Sequence, residues 1–339
     1  MKKSIITLKR KPKITASYSV VGHMEANGPL GNCFDEYCLD DKFGKESWEK
    51  AESEMQRRAL SGAIKKCGII DTELDLLLAG DLLNQCIGSN YALSNFDTGF
   101  LGLYGACSTC SEGLLIGACL YSGGVIDSCA TVTSSHYCAS ERQFRFPLEY
   151  GGQRTPTAQW TTTGSGAFIL SDAGSVEIRE CLVGKVIDKG ISDINNMGAA
   201  MAPAAINTLK RYFLESVHSP DYFDLIITGD LGYEGSEILK ELLLDEGIDI
   251  RKNHVDCGLM IFDRERQDVH AGGSGCGCSA VVMSASIVPN LSSGTLKNVL
   301  FLGTGALMSP MSLSQGGTIP AVAHLLHISH TDNSGQGAR

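Results

Sequence analysis

No apolar run in the 339-residue chain approaches the ~18 residues that mark a membrane-spanning helix, so no such span is expected. Charge is also scarce. Only 19% of residues are Asp, Glu, Lys or Arg, too few for a solvated, disordered chain. Cations are not in excess either: a net charge of -10 excludes a general nucleic-acid surface, because phosphate binding depends on clustered positive charge. The first 13 residues carry six Lys/Arg but lack an apolar core and a small-residue cleavage pattern, so they do not read as a secretory leader. A solvated strand edge is expected there, with contact to anionic lipid as the alternative. Cysteine is not scarce. The 13 cysteines, without a leader, read as reduced thiols of a cytosolic compartment. Cys107/Cys110 and Cys276/Cys278 are closely spaced, but both pairs lie in Gly/Ser/Ala text without the flanks of a zinc ribbon, so neither a metal site nor a cofactor is expected.

What is present is glycine, 39 residues of it, in a chain long enough for one large or two ordinary domains. The composition fits a compact α/β chain with many tight turns. Ser47-Trp-Glu-Lys resembles a helix start, Ala51, Met55, Ala59 and Ala63 fall on one helical face, and Gly68 closes the segment. Asp75-Leu-Leu-Leu-Ala-Gly-Asp-Leu82 then reads as a short buried strand entering a Gly-Asp turn. The same text returns 149 residues later as Asp224-Leu-Ile-Ile-Thr-Gly-Asp-Leu231, again after an amphipathic helix, expected over about 194–215. Cys107-Ser-Thr-Cys110-Ser has a loose echo in Cys276-Gly-Cys278-Ser-Ala, and the β-rich run Ser128–His136 in Asn298–Gly305. Four elements repeated in one order predict an internal duplication, with halves over 1–175 and 176–339 and a ligand pocket where they meet.

The duplication is organised around Gly105–Cys119, a loop of small residues that becomes an apolar run with no charge after Glu112. A buried helix whose first turn sits at a bend has this pattern. Its outward-pointing amides and macrodipole would stabilise a thiolate or hold a carboxylate, while plain packing of small cysteines explains the same text.

Together these features resemble the thiolase-like superfamily, which includes thiolases and ketoacyl-carrier-protein synthases. Cys110-Ser-Glu-Gly113-Leu114 fits the Cys-x-x-Gly-apolar text of its nucleophile, whereas Cys107 does not; Gly164-Ser-Gly-Ala-Phe-Ile-Leu170 is similar to its Gly-x-Gly-Ala strand, and Gly303-Thr-Gly305 to its C-terminal glycine turn. The resemblance implies duplicated α/β halves layered α-β-α-β-α. A more specific resemblance, to the stage V sporulation protein AD family of spore-forming Firmicutes, is carried by Ser135–Pro147, Glu149-Tyr-Gly-Gly-Gln-Arg154 and Asp268–Ala280. It implies binding of dipicolinic acid (pyridine-2,6-dicarboxylate) or its calcium chelate for uptake into the developing spore. It also implies integral-membrane partners from the same operon, a forespore location peripheral to the spore inner membrane, and a homodimer.

Condensing chemistry in the superfamily needs a thiolate and imidazole or amide partners. Where the first of these is expected the chain reads Gly229-Asp230, and Cys276-Gly-Cys278 occupies the second position, with His270 the nearest imidazole in sequence. An ionised Asp accepts hydrogen bonds but donates none to an oxyanion. A binding protein is therefore expected rather than an enzyme. The expected ligand contacts are Cys110, Ser111 and Gly113 at the helix start, Ser134, Ser135 and His136 after the next strand, Arg142 and Arg145 as carboxylate clamps, and Cys276 and Cys278 from the second half. Each has a plainer alternative: His136 as a loop hydrogen-bonder, the two arginines as surface or dimer residues. Glu112 is expected to turn away, pair with an Arg or join a calcium site. An active condensing enzyme or acyltransferase using Cys110 and His270, and a structural adaptor with a vestigial pocket, are the alternative functions.

Overall fold

The structure is a computed structural model that describes residues 4–144 and 153–332. Ten strands form its framework: β1 (Lys13–Val21), β2 (Leu76–Gly80), β3 (Phe100–Leu103), β4 (Cys129–Ser135), β5 (Gly164–Ser171), β6 (Val176–Leu182), β7 (Leu225–Thr228), β8 (His254–Asp256), β9 (Asn298–Ala306) and β10 (Ala321–His330). The first five lie in the order β3-β2-β4-β5-β1 and the second five in the order β8-β7-β9-β10-β6. Numbered within each set, both orders are 3-2-4-5-1. Pairing types repeat as well: strands three, two and four are mutually parallel, and strand five is antiparallel to four and to one. The sets join where Lys13 of β1 pairs with Glu177 of β6. Ile5–Thr7 adds an edge strand against β6, so the basic N-terminal text does run along a strand edge.

Alternating burial divides the molecule into layers. Leu77 and Ala79 of β2 face the helix α1 (Trp48–Cys67), while Leu78 faces the opposite side with α3 (Thr109–Ser122). In the second set Ile226, Leu300 and Leu325 face α5 (Met197–Glu215) and α6 (Gly232–Asp245). Ile227, Phe301 and Leu326 instead join the α3 cluster, which also takes in α7 (Cys276–Val282). The layers are thus α1, first sheet, α3 with α7, second sheet, α5 with α6. The shorter helices α2 (Ile87–Leu93) and α4 (Tyr137–Phe144) lie nearer the strand ends.

Local chemistry explains the boundaries. Ser47 caps α1 by accepting a hydrogen bond from Lys50 N at 3.3 Å, and Gly68 ends it at φ 75°. The repeated octapeptide has a structural reason for its first residue. Asp75 Oδ2 accepts hydrogen bonds from the backbone of Asp127 (2.7 Å) and Ser128 (3.0 Å), and Asp224 Oδ2 from Lys297 (2.7 Å) and Asn298 (2.9 Å). In each set one carboxylate ties the start of the second strand to the start of the fourth. Gly303-Thr-Gly305, expected at a turn, lies inside β9. A Cβ on Gly303 would overlap Ser111 Oγ, so the glycine is there to let the strand touch the start of α3.

Candidate functional site

Parallel strands deliver their carboxyl ends to one side of the molecule, and a cleft of about 290 Å³ opens there between the two strand sets. Cys107, Ser274, Thr161 and Glu141 provide its polar wall. Met197, Met201, Met308, Leu307 and Phe144 provide most of the apolar one. No Arg, Lys or His occurs among its described lining residues.

The chain reaches this cleft through a bend: Gly105 leads into Ala106, whose φ of 52° is unusual for a residue with a side chain. Cys107 follows in the short 3-10 turn Ala106–Ser108, and its side chain faces the cleft. Its sulfur is 3.9 Å from Ser274 Oγ, and the thiol also hydrogen-bonds Asp230. Asp230 sits just past β7, fully enclosed. Its Oδ1 accepts from Thr304 Oγ1 (2.9 Å), and its Oδ2 accepts from Ser274 Oγ (2.9 Å) and Gly275 N (3.0 Å). Burial raises the Asp230 pKa, outweighing these hydrogen bonds; burial, followed by the Asp230 charge, pushes the Cys107 thiol well above the ordinary thiol range. Behind Asp230, Asp256 accepts from Thr228 Oγ1 (2.6 Å) and the amides of Leu231 (2.8 Å), Gly232 and Gly258 (both 3.0 Å), and burial lifts its pKa to about 7.

The thiol that reaches the cleft is therefore Cys107, and the expected position of Cys110 is corrected. Cys110 starts the regular part of α3 on its core side, where burial pushes it up to about 12. It shares the central cluster with Cys278, Ala280 and Val281 of α7, which places the two small-residue helices back to back. Ser111 Oγ donates to Ser108 O (2.8 Å), and Gly113 packs on Leu103 and Thr131. Ser134 Oγ donates to Glu52 Oε1 and accepts from Gln56 Nε2, both at 2.9 Å, below the crevice floor. Ser135 Oγ donates to Thr162 O (2.7 Å) and accepts from Gly277 N (3.1 Å). The Cys276 thiol donates to Ser134 O (2.9 Å), and Cys278 is enclosed in the central core. None of these seven lines the cleft.

His136 is also turned away from it. Nε2 lies 2.7 Å from Asp41 O, so that nitrogen carries the proton, and burial lowers the ring's pKa. The loop-hydrogen-bonder alternative describes it. Arg142 pairs with Glu49 and lies over the Trp48 ring, 5.2 Å from its centroid, beside a separate small cavity. Arg145 lies outside the described residues. Glu112 folds back against Gly105 with Oε2 buried and unpaired, and among the described residues no Arg pairs with it. His270 binds Thr155 O (2.6 Å) and Asp268 (2.8 Å), away from the cleft. Sequence reasoning missed Cys107, Asp230 as a floor residue, Thr161, Ser274 and the methionines.

Ten strands in two like-ordered sets, layered around two buried helices and meeting over a thiol, define a thiolase-like fold. Cerulenin-bound OleA of Xanthomonas campestris is similar over 96% of this chain and 98% of that one, with a TM-score of 0.57 and 13% identity. The 3-oxoacyl-[acyl-carrier-protein] synthase III of Aquifex aeolicus matches over 94% and 100%, with a TM-score of 0.53 and 10% identity. At that identity the likeness is one of fold. The chain belongs to the stage V sporulation protein AD (SpoVAD) family, whose model matches residues 2–329. It is 43% identical over 312 residues to stage V sporulation protein AD of Bacillus subtilis (strain 168), covering 92% of each chain.

Proposed function

We propose that this sporulation protein binds dipicolinic acid or its calcium chelate in the Cys107 cleft for uptake into the developing spore, without catalysing condensation. The observation that carries the reading is the make-up of the cleft. Its thiol is hydrogen-bonded to a buried carboxyl, and the described lining holds no imidazole to steady an oxyanion. Removing one such donor typically lowers rates ~10²–10³-fold. Methionine and Phe144 suit a flat aromatic ring. Glu141, whose Oε1 accepts from Thr161 Oγ1 at 2.9 Å, and Ser274 give the polar wall on which a carboxylate or its chelated cation would be oriented. Calorimetry with dipicolinate, with and without calcium, tests this. Saturable heat in at least one condition is expected, and the comparison says whether the free acid or the chelate is bound. No heat in either condition would turn the reading to a structural adaptor.

The placement of Cys107 favours a second reading, an acyltransferase that carries its acyl group on that thiol. Acyl-CoA and malonyl thioesters followed by intact-mass measurement test it; the expected result is no adduct at Cys107. Among the described residues no helix is long and apolar enough to cross a membrane, so attachment to the inner membrane would be peripheral, through the integral-membrane partners. A homodimer would form through β3, which is hydrogen-bonded on one side only and exposes half of Leu101. Light scattering should give twice the chain mass, and Leu101→Lys should halve it; a monomeric wild type refutes the dimer.

A further inference from the structure

A second cavity, of about 490 Å³, lies at the opposite end of β9. That strand runs from Asn298 in this cavity to Ala306 at the cleft, eight residue steps, or roughly 27 Å at the rise of a strand. Arg179, Lys297 and His330 bring three cationic or protonatable groups to its wall. Tyr222, Ser293 and Asn298 add polar groups, and Asp332 adds a carboxylate at the rim.

The cations here are unevenly paired. Glu177 is shared between Lys11 (3.6 Å) and Arg179 (3.2 Å). Arg179 Nε is closed to solvent, yet it makes no hydrogen bond, because Glu177 lies off its N–H direction. The Lys297 ammonium has no carboxylate partner among the described residues. The nearby Asp224 is occupied by the backbone amides of Lys297 and Asn298. His330 Nδ1 donates to Leu291 O (2.8 Å) and its ring packs on Gly294, which fixes the imidazole in the wall; the largely exposed Asp332 is 3.3 Å from Nε2. A chain of net charge -10 thus brings together in one concavity an ammonium with no carboxylate partner among the described residues, a guanidinium that shares its carboxylate with Lys11, and an imidazole, with Asp332 the one carboxylate of the described lining.

We propose that this cavity is a binding site for a phosphate-bearing ligand, separate from the cleft. Guanidinium and ammonium groups converging from different walls match a phosphate, which carries close to two charges and several acceptor oxygens near neutral pH. The volume leaves room for a phosphate and a small polar group attached to it. A soluble phosphate ester and a lipid headgroup share this chemistry.

Amide-resolved NMR titration of the full chain with glycerol 3-phosphate, and flotation with phosphatidylglycerol or phosphatidylcholine vesicles, test the site. In the double variant Arg179→Ala/Lys297→Ala the Asp224 tie survives, because it uses the Lys297 backbone. Expected are saturable shifts confined to Ser293–Asn298 and residues around His330, weakened at least about tenfold in the double variant. Dipicolinate titration should be unchanged in that variant, so this site and the cleft stand or fall separately. Vesicle binding specific to phosphatidylglycerol and lost in the variant assigns the site to a headgroup. Saturable glycerol 3-phosphate binding without vesicle affinity assigns it to a soluble ester. Absence of both, or binding that persists in the double variant, overturns the proposal.

Discussion

At the scale of single residues, three positions separate two similar cysteines. Both belong to one short run of small residues, and the first-turn argument for a reactive thiol selects Cys110 by its motif. The chain bends one step earlier, at Ala106 with its positive φ, and turns Cys107 to the cleft while Cys110 enters the core. A positive-φ alanine has no sequence signature, which is why the side of the helix start that faces the ligand was not legible. Asp230 was legible as an absent imidazole but not as the thiol's partner, since that contact depends on Ser274 and Thr304 from distant segments. Its charge has a measurable consequence. A neighbouring carboxylate and burial both disfavour the thiolate, so Cys107 should alkylate with iodoacetamide at pH 8 at least about tenfold more slowly than the exposed Cys33. Asp230→Asn should accelerate Cys107, because it removes the repelling charge. Peptide mass mapping over time reads both rates, and a Cys107 as fast as Cys33 would contradict the assigned environment.

At the scale of elements, the sequence was most informative where one local rule sufficed. The capped α1, its Ala/Met face and its closing glycine all follow from nearest-neighbour chemistry, and the structure has them. The octapeptide repeat was legible too, but its purpose was not: each Asp acts on the start of a strand more than 50 residues away. If the two carboxylates do the same work in the two sets, Asp75→Ala and Asp224→Ala should each lose ~1–2 kcal/mol in urea unfolding, and by similar amounts. A loss at one position and none at the other would show that the repeat in text is not a repeat in energetics. The packing of α7 was hidden for a comparable reason. Gly277 lies so close to Gly164 O and Ser135 N that a Cβ would clash with both, a constraint set by a strand over 100 residues earlier. Gly277→Ala should destabilise by ~1–3 kcal/mol through overpacking, with unfolding midpoints as the readout.

At the scale of the whole molecule, the duplication was legible from composition and order, but the 3-2-4-5-1 arrangement was not, because strand pairing is decided between segments that share no local signal. The same architecture encloses Glu25, Glu52, Asp81, Asp230 and Asp256, and burial raises the pKa of each. Glu25 is lifted to about 8 despite the amide of Thr163 donating to Oε1 at 2.9 Å. A carboxyl that is more easily protonated when folded stabilises the fold below its unfolded pKa, and that contribution is lost as pH rises through the folded one. Buried histidines act oppositely. His254 and His324, lowered to about 4, favour folding as pH rises, but only up to the unfolded value near 6.5. The depressed carboxyl of Glu54, at about 2, is fully ionised in both states well below that. Above pH 6.5 the histidines no longer offset the carboxyls, so stability should decline toward pH 8, with Glu25 alone contributing about 1.5 kcal/mol of the decline. Glu25→Gln keeps the acceptor for Thr163 N and removes the ionisation. Urea unfolding at pH 6.5 and 8 should show the variant losing less stability than the wild type by about that amount. A wild type that gains stability over this interval, or a variant with an unchanged slope, would mean that Glu25 is already ionised in the fold.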